Sequence, residues 1–189
     1  MRIIGGKYRG RSLFTPSDDR IRPTTDRVRE SLFNIISHMP GFDFNGAHVL
    51  DMFCGTGALG IEALSRGAAH CTFVDSNRQS ITLTERNGGK ILEKNNATYL
   101  NMTATKAAAD TRLPAKAANL VFLDPPYGND LAEPVLNALH NRNKLADSCL
   151  IVVEMSKNAP ENINEQIFTP LKERAYGGSI IRLYEYSKK

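Results

Sequence analysis

Apolar and polar positions alternate along this chain in two rhythms. Short apolar runs of strand-favouring residues fall at His48–Phe53, His70–Asp75, Ala97–Met102, Ala118–Asp124 and Cys149–Met155. Two further runs, Gln166–Tyr176 and Ile180–Tyr186, flank Gly177-Gly178. Between the first five lie stretches with helical spacing: Ala58–Arg66, stopped by Gly67; a more polar one from Ser76 to Asn95, broken at Gly88-Gly89; and Leu131–Leu139, where Pro134 is tolerable in the first turn. Strands alternating with helices predict a doubly wound α/β sheet, mainly parallel, and the last pair predicts an antiparallel hairpin that reverses one strand. Upstream, residues 2–15 read as a small hairpin with Lys7, Tyr8, Arg9 and Arg11 exposed around its turn. An extended connector, Arg20–Thr25, follows. Thr24, Thr25 and Asp26 can cap a helix whose apolar face is Val28, Leu32, Ile35, Ile36 and Met39 and which ends at Pro40-Gly41. The expected division is an extension over residues 1–45 and a main domain over 46–189.

Charge sharpens this division. The 189 residues carry a net +4, and residues 1–30 alone hold eight cations against four anions, so the remainder is neutral overall. A basic segment attached to a neutral domain is the footprint of a polyanion binder. Three cysteines at unrelated spacings and four scattered histidines support neither a disulfide framework nor a metal site. Neither a membrane-spanning run nor a secretory signal is evident, which leads to the expectation of a reduced, cytoplasmic setting.

The chemistry concentrates in two places. Gly55, Gly57 and Gly60 stand at G-x-G-x-x-G spacing between the His48–Phe53 run and the Ala58 helix, which lets the backbone turn sharply and approach a nucleotide-like cofactor. Asp75 closes the next strand about twenty residues on, where an acid meets ribose hydroxyls. Asp51 precedes the glycines, and its charge would repel a pyrophosphate but attract the ammonium and sulfonium of S-adenosylmethionine. The second place is Asp124-Pro125-Pro126-Tyr127 at the end of the fourth strand. Two prolines stiffen the loop, so the Asp124 carboxylate and the Pro125 carbonyl are held as acceptors for the hydrogens of an exocyclic amine, with Tyr127 placed to stack on the base. On this reading Asp124 needs no raised pKa, because the amine is already neutral.

With these residues in hand, the chain resembles the bacterial 16S rRNA guanine-N2 methyltransferases, a branch of the Rossmann-like class I methyltransferases, over nearly its whole length. The resemblance is carried by residues 5–10, 22–30, 50–68 and 124–127. It implies methyl transfer from S-adenosylmethionine to the N2 amine of a guanine in 16S rRNA, free or in a small-subunit particle, by a protein with no metal and no membrane contact, acting as a monomer. It implies a cofactor set of Thr25, Asp51, Phe53, Gly55, Thr56, Gly57, Asp75, Ser76 and Thr103, catalytic residues Asp124, Pro125, Pro126 and Tyr127, and RNA contacts from Lys7, Arg9, Arg11 and Arg22. Thr103 stands where relatives usually carry an Asp near the adenine amine; a threonine can still accept a hydrogen bond. Cys54 replaces a common small residue, which points to packing over a nucleophilic role. Rival readings are an amine methyltransferase for DNA adenine or protein glutamine, an NAD-dependent oxidoreductase disfavoured by Asp51, and a non-catalytic RNA-binding module disfavoured by the intact acids.

Overall fold

A computed structural model of the chain describes residues 1–15, 25–89, 95–113, 116–126, 128 and 130–188. The elements run α1 (Asp26–Ser37), β1 (His48–Asp51), α2 (Ala58–Ser65), β2 (His70–Asp75), α3 (Arg78–Gly88), β3 (Ala97–Asn101), α4 (Ala104–Ala109), β4 (Ala118–Leu123), α5 (Ala132–Asn141), β5 (Leu145–Ser156), β6 (Phe168–Tyr176) and β7 (Ser179–Tyr186). One seven-stranded sheet takes the order β3-β2-β1-β4-β5-β7-β6. β7 pairs antiparallel with both β5 and β6, so it alone runs against the rest. This is the doubly wound arrangement with one reversed strand.

The alternation of buried side chains sorts the core into two faces. Val49, Leu120, Phe122, Leu150 and Val152 turn toward α1, α2 and α3, where they meet Phe33, Ile36, Ile61 and Ile81. Their neighbours Leu50, Val121, Leu123, Ile151 and Val153 turn the other way, onto Ala107, Val135, Leu136 and Leu139 of α4 and α5. Both faces being covered explains why β4 and β5 read as continuous apolar runs. α1 begins where its cap chemistry dictates: the Thr25 hydroxyl accepts from the Val28 amide at 3.3 Å. Asn77 caps α3 through the Gln79 amide, and the helix ends at Gly88, well short of Asn95.

Three differences from the sequence expectation have physical causes. β1 stops at Asp51, two residues early, because the chain leaves the ladder to form the glycine turn. α4 was not expected at all, since its buried face is only Ala104, Ala107 and Ala108, too weakly apolar to stand out as a helical stripe in the sequence. The hairpin of residues 2–15 is present but short: Arg2 bridges Ser12, the Ile3 amide donates to the Arg11 carbonyl at 3.0 Å, the Gly10 amide to the Ile3 carbonyl at 2.9 Å and the Leu13 amide to the Met1 carbonyl at 3.1 Å. It extends no further along Ile4 and Gly5 because their amides are taken by the buried carboxylate of Glu62, at 2.7 and 2.8 Å. Tyr8 in the following turn is buried, contrary to expectation, with Lys7 and Arg11 placed over its ring at 5.4 and 5.3 Å.

Candidate active site

The glycine loop bends away from β1 and is held by backbone bonds on each side. The Met52 amide donates to the Phe122 carbonyl at 3.1 Å and the Cys54 amide to the Val74 carbonyl at 3.0 Å, tying the loop to β4 and β2. Gly57 has φ 76°, and a Cβ there would collide with the Thr84 side chain, whose hydroxyl donates to the Gly55 carbonyl at 3.0 Å. A Cβ on Gly60 would collide with the Phe73 ring and the Cys71 sulfur. The third glycine therefore serves helix-on-strand packing, as its spacing predicts. Thr56 is buried, and its carbonyl accepts from the Asn87 side chain at 2.9 Å. Burial pushes the Cys54 thiol pKa well up, followed by the charge of Asp51, so this cysteine is a neutral packing group.

Strand register and alternation then assemble the acids. Phe73, Asp51, Phe122 and Val152 are aligned across β2, β1, β4 and β5. Two residues onward along the same face come Asp75, Asp124 and Glu154, so one acid per strand stands at the carboxyl ends of four adjacent strands, with Asp51 a layer deeper. Asp51 is 3% exposed, and its carboxylate accepts from the Gly60 amide at 3.0 Å. Burial raises its pKa to about 7; the Gly60 bond opposes that rise and Asp75 adds to it. Asp75 accepts from the Gly55 amide at 3.0 Å and from the Asn77 amide at 2.8 Å. The Asn101 side chain donates to the carbonyls of Asp75 and Ser76, bracing this corner. Thr103 precedes α4, is exposed, and makes no side-chain cap bond, which leaves its hydroxyl available to a ligand. Phe53 is half-buried on the α4 side of the loop.

Asp124 follows β4 directly and is half-buried; Pro125 is buried and Pro126 exposed. The far end of this loop is anchored where the buried Glu161 carboxylate accepts the Ala132 amide at the start of α5, at 2.7 Å. Tyr127 lies outside the described residues. The Asp124 carboxyl is pushed well above the ordinary range, first by burial, then by Glu154 and Asp51. The reading that Asp124 needs no raised pKa thus meets a site that raises it, chiefly by burial; the second cause, Glu154, is one that sequence reasoning missed. Its signal was an acid one step before the end of an otherwise apolar strand.

The basic extension divides on inspection. Arg29 is buried and pairs with Asp26 at 2.9 Å, so one of the eight cations is structural, while Arg2 reaches the same acid at 3.5 Å with its own side chain exposed. Arg20 and Arg22 lie outside the described residues. The turn bearing Lys7 and Arg9 docks on the last turn of α2: the Lys7 amide donates to the Ser65 carbonyl, and the Tyr8 amide to the Ser65 hydroxyl at 3.0 Å. α2 returns from the carboxyl end of β1 to the amino end of β2. Lys7 and Arg9 therefore stand at the sheet edge opposite Asp124, while the cofactor set and the Asp124 loop come together. Thr25 is on the Asp124 side, at the start of α1.

The open sheet, the glycine loop and the acids at its strand ends define a Rossmann-like class I methyltransferase, a fold shared at 17% identity and TM-score 0.62 with magnesium protoporphyrin IX methyltransferase from Synechocystis, solved with bound S-adenosylmethionine. The family described as conserved hypothetical protein 95 matches residues 1–185, and the chain belongs to it. It is 42% identical over 154 residues to ribosomal RNA small subunit methyltransferase D of Escherichia coli, covering 82% of this chain and 74% of that protein. It is 34% identical over 194 residues to the protein of the same name from Haemophilus influenzae, covering 98% and 93%. The solved yhhF protein of Escherichia coli superposes at TM-score 0.85 with 37% identity over 100% and 99% of the two chains.

Proposed function

We propose that this chain transfers the methyl group of S-adenosylmethionine to the exocyclic N2 amine of a guanine in 16S rRNA. The observation that carries the proposal is the placement of Asp124, on a proline-stiffened loop, level with Asp75 and directly above Asp51 on the next strand. The residues fit the cofactor. Four carboxylates at adjacent strand ends suit a ligand bearing an ammonium and a sulfonium, and the packed glycines leave room for close backbone approach. Asp51 would face the cationic methionine part and Asp75 the ribose, through lone pairs that the Gly55 and Asn77 amides leave open. Thr25, Phe53, Thr56, Ser76 and Thr103 complete the set. Bound there, S-adenosylmethionine supplies a methyl carbon made electrophilic by the sulfonium.

The chain's own work is on the amine. The Asp124 carboxylate and the Pro125 carbonyl accept its two hydrogens, which draws the nitrogen lone pair out of the purine ring and aims it at the methyl carbon. As the nitrogen–carbon bond forms, the carbon–sulfur bond breaks and the nitrogen sheds one proton. The raised proton affinity of Asp124 suits it to take that proton. The same rise means that the acceptor form grows with pH, so the single-turnover rate should climb as Asp124 ionises.

The test is to incubate the purified protein with 16S rRNA and labelled S-adenosylmethionine, digest to nucleosides and identify the product. N2-methylguanosine is expected. Label in adenine, or transfer to DNA or to a protein glutamine with none to rRNA, would overturn the substrate while leaving the cofactor site intact.

A further inference from the structure

α1 and β6 enclose an open groove of about 560 Å³, lined by Arg27, Glu30, Asn34, His38, Lys172 and Arg174. Alternation along β6 puts Lys172, Arg174 and Tyr176 on one face of the strand. On the other face Glu173 is neutralised by Arg182. The groove thus gathers three cations against one acid, and among the described residues Arg27 and Lys172 make no ion pair. Its upper end is fixed where the Ser31 hydroxyl and the Tyr176 hydroxyl share a hydrogen bond of 2.8 Å. Tyr176 pairs with Ser179, and Ser179 with Ser156 at the carboxyl end of β5. The groove therefore opens at the same sheet edge as Asp124. β4 and β6 are three strand spacings apart, about 14 Å at 4.8 Å each.

We infer that this groove binds the phosphate backbone of the RNA substrate beside the methylated base, and that it carries more of the RNA affinity than the Lys7 and Arg9 turn at the opposite edge. The inference rests on RNA being the substrate. Its charge suits a polyanion, its length lies beside the catalytic edge, and a base drawn out of its stack toward Asp124 needs its flanking backbone held within that distance.

The experiment compares the wild type with the triple variant Arg27→Ala, Lys172→Ala, Arg174→Ala. Binding to protein-free 16S rRNA and to small-subunit particles is measured across a salt series, and affinity for S-adenosylmethionine by calorimetry. The triple variant should bind protein-free rRNA about tenfold or more weakly. Its salt slope should fall by about 2, three phosphate contacts at 0.7 to 0.9 each, with cofactor affinity unchanged. Lys172→Glu alone, on an exposed edge strand, should weaken RNA binding in the same direction. An unchanged slope beside a wild type that binds and methylates rRNA overturns the groove alone. Weakened binding to particles with wild-type binding to free rRNA assigns the groove to a ribosomal protein and overturns it too. A wild type that binds no RNA overturns the substrate assignment together with the groove.

Discussion

The two halves of the sheet hold their acids in opposite conditions. On the β1 and β2 side, backbone amides already occupy the carboxylates: Gly60 on Asp51, Gly55 and Asn77 on Asp75. On the β4 and β5 side, Asp124 receives no hydrogen bond from any described residue and faces a second acid, Glu154. A cofactor present in every turnover meets a preformed corner. In the proposed reaction an amine that offers two hydrogens and loses one proton meets an acceptor left open for it. Preorganisation here divides by strand, and the dividing line lies between β1 and β4.

The sharpest way to break this contrast is to remove charge from the preformed side. Asp51 has its pKa raised from 3.8 to about 7, so between those values the folded chain keeps a proton that the unfolded chain has released. Stability of the unliganded protein should therefore fall as pH rises from about 4 to about 7. Asp51→Asn should abolish this slope and gain up to roughly 4 kcal/mol above pH 7, at 1.36 kcal/mol per unit, while cofactor affinity drops. Urea unfolding at pH 5 and pH 8 reads the first effect and calorimetry the second. A variant less stable than wild type at pH 8 would show that the Gly60 bond outweighs the burial.

On the open side, Asp124→Ala should lose about 2 kcal/mol or more of transition-state stabilisation, roughly thirtyfold in single-turnover rate. Asp124→Asn keeps one carbonyl acceptor and should lose less. Equal loss in both would make proton removal the dominant role of Asp124, and the contrast would become one of proton affinity instead of open acceptors. Gly60→Ala forces a methyl against Phe73 and Cys71 and should cost about 1 to 3 kcal/mol of stability by overpacking, seen as a lower unfolding midpoint. The smallest effect belongs to Thr103→Ala. Because its hydroxyl makes no cap bond, unfolding should move by no more than about 0.5 kcal/mol, with cofactor affinity weakened by about 1 kcal/mol if it contacts the adenine.

The central strands, the glycine loop and the Asp124 loop were legible because local pattern and global placement agree there: a run buried on both faces, a turn, an acid at its end. Residues at the ends of such runs need only topology to become neighbours. Glu154 was not legible in this way, since its importance lies in the register of β5 against β4. The groove was harder still. Ser31 and Tyr176 are 145 positions apart, and Lys172 and Arg174 belong to residues 31–189, whose charge is neutral when counted along the chain. Conversely, counting charge along residues 1–30 overstated the extension, because Arg29 is a buried strut and Lys7 and Arg11 lie against Tyr8. Glu62, which bonds Ile4 and Gly5, shows how a single buried acid can dock the turn of a short hairpin onto a neighbouring helix.

The half-titrated state of Asp51 near neutrality has a calorimetric signature. Capture of a cationic ligand beside it will drive off whatever proton it holds, and that proton must be absorbed by the buffer. The heat measured for cofactor binding at pH 7 should therefore vary linearly with the ionisation enthalpy of the buffer. The slope of that line counts the protons released, and it should shrink toward zero once the pH is well above 7, where Asp51 has already ionised.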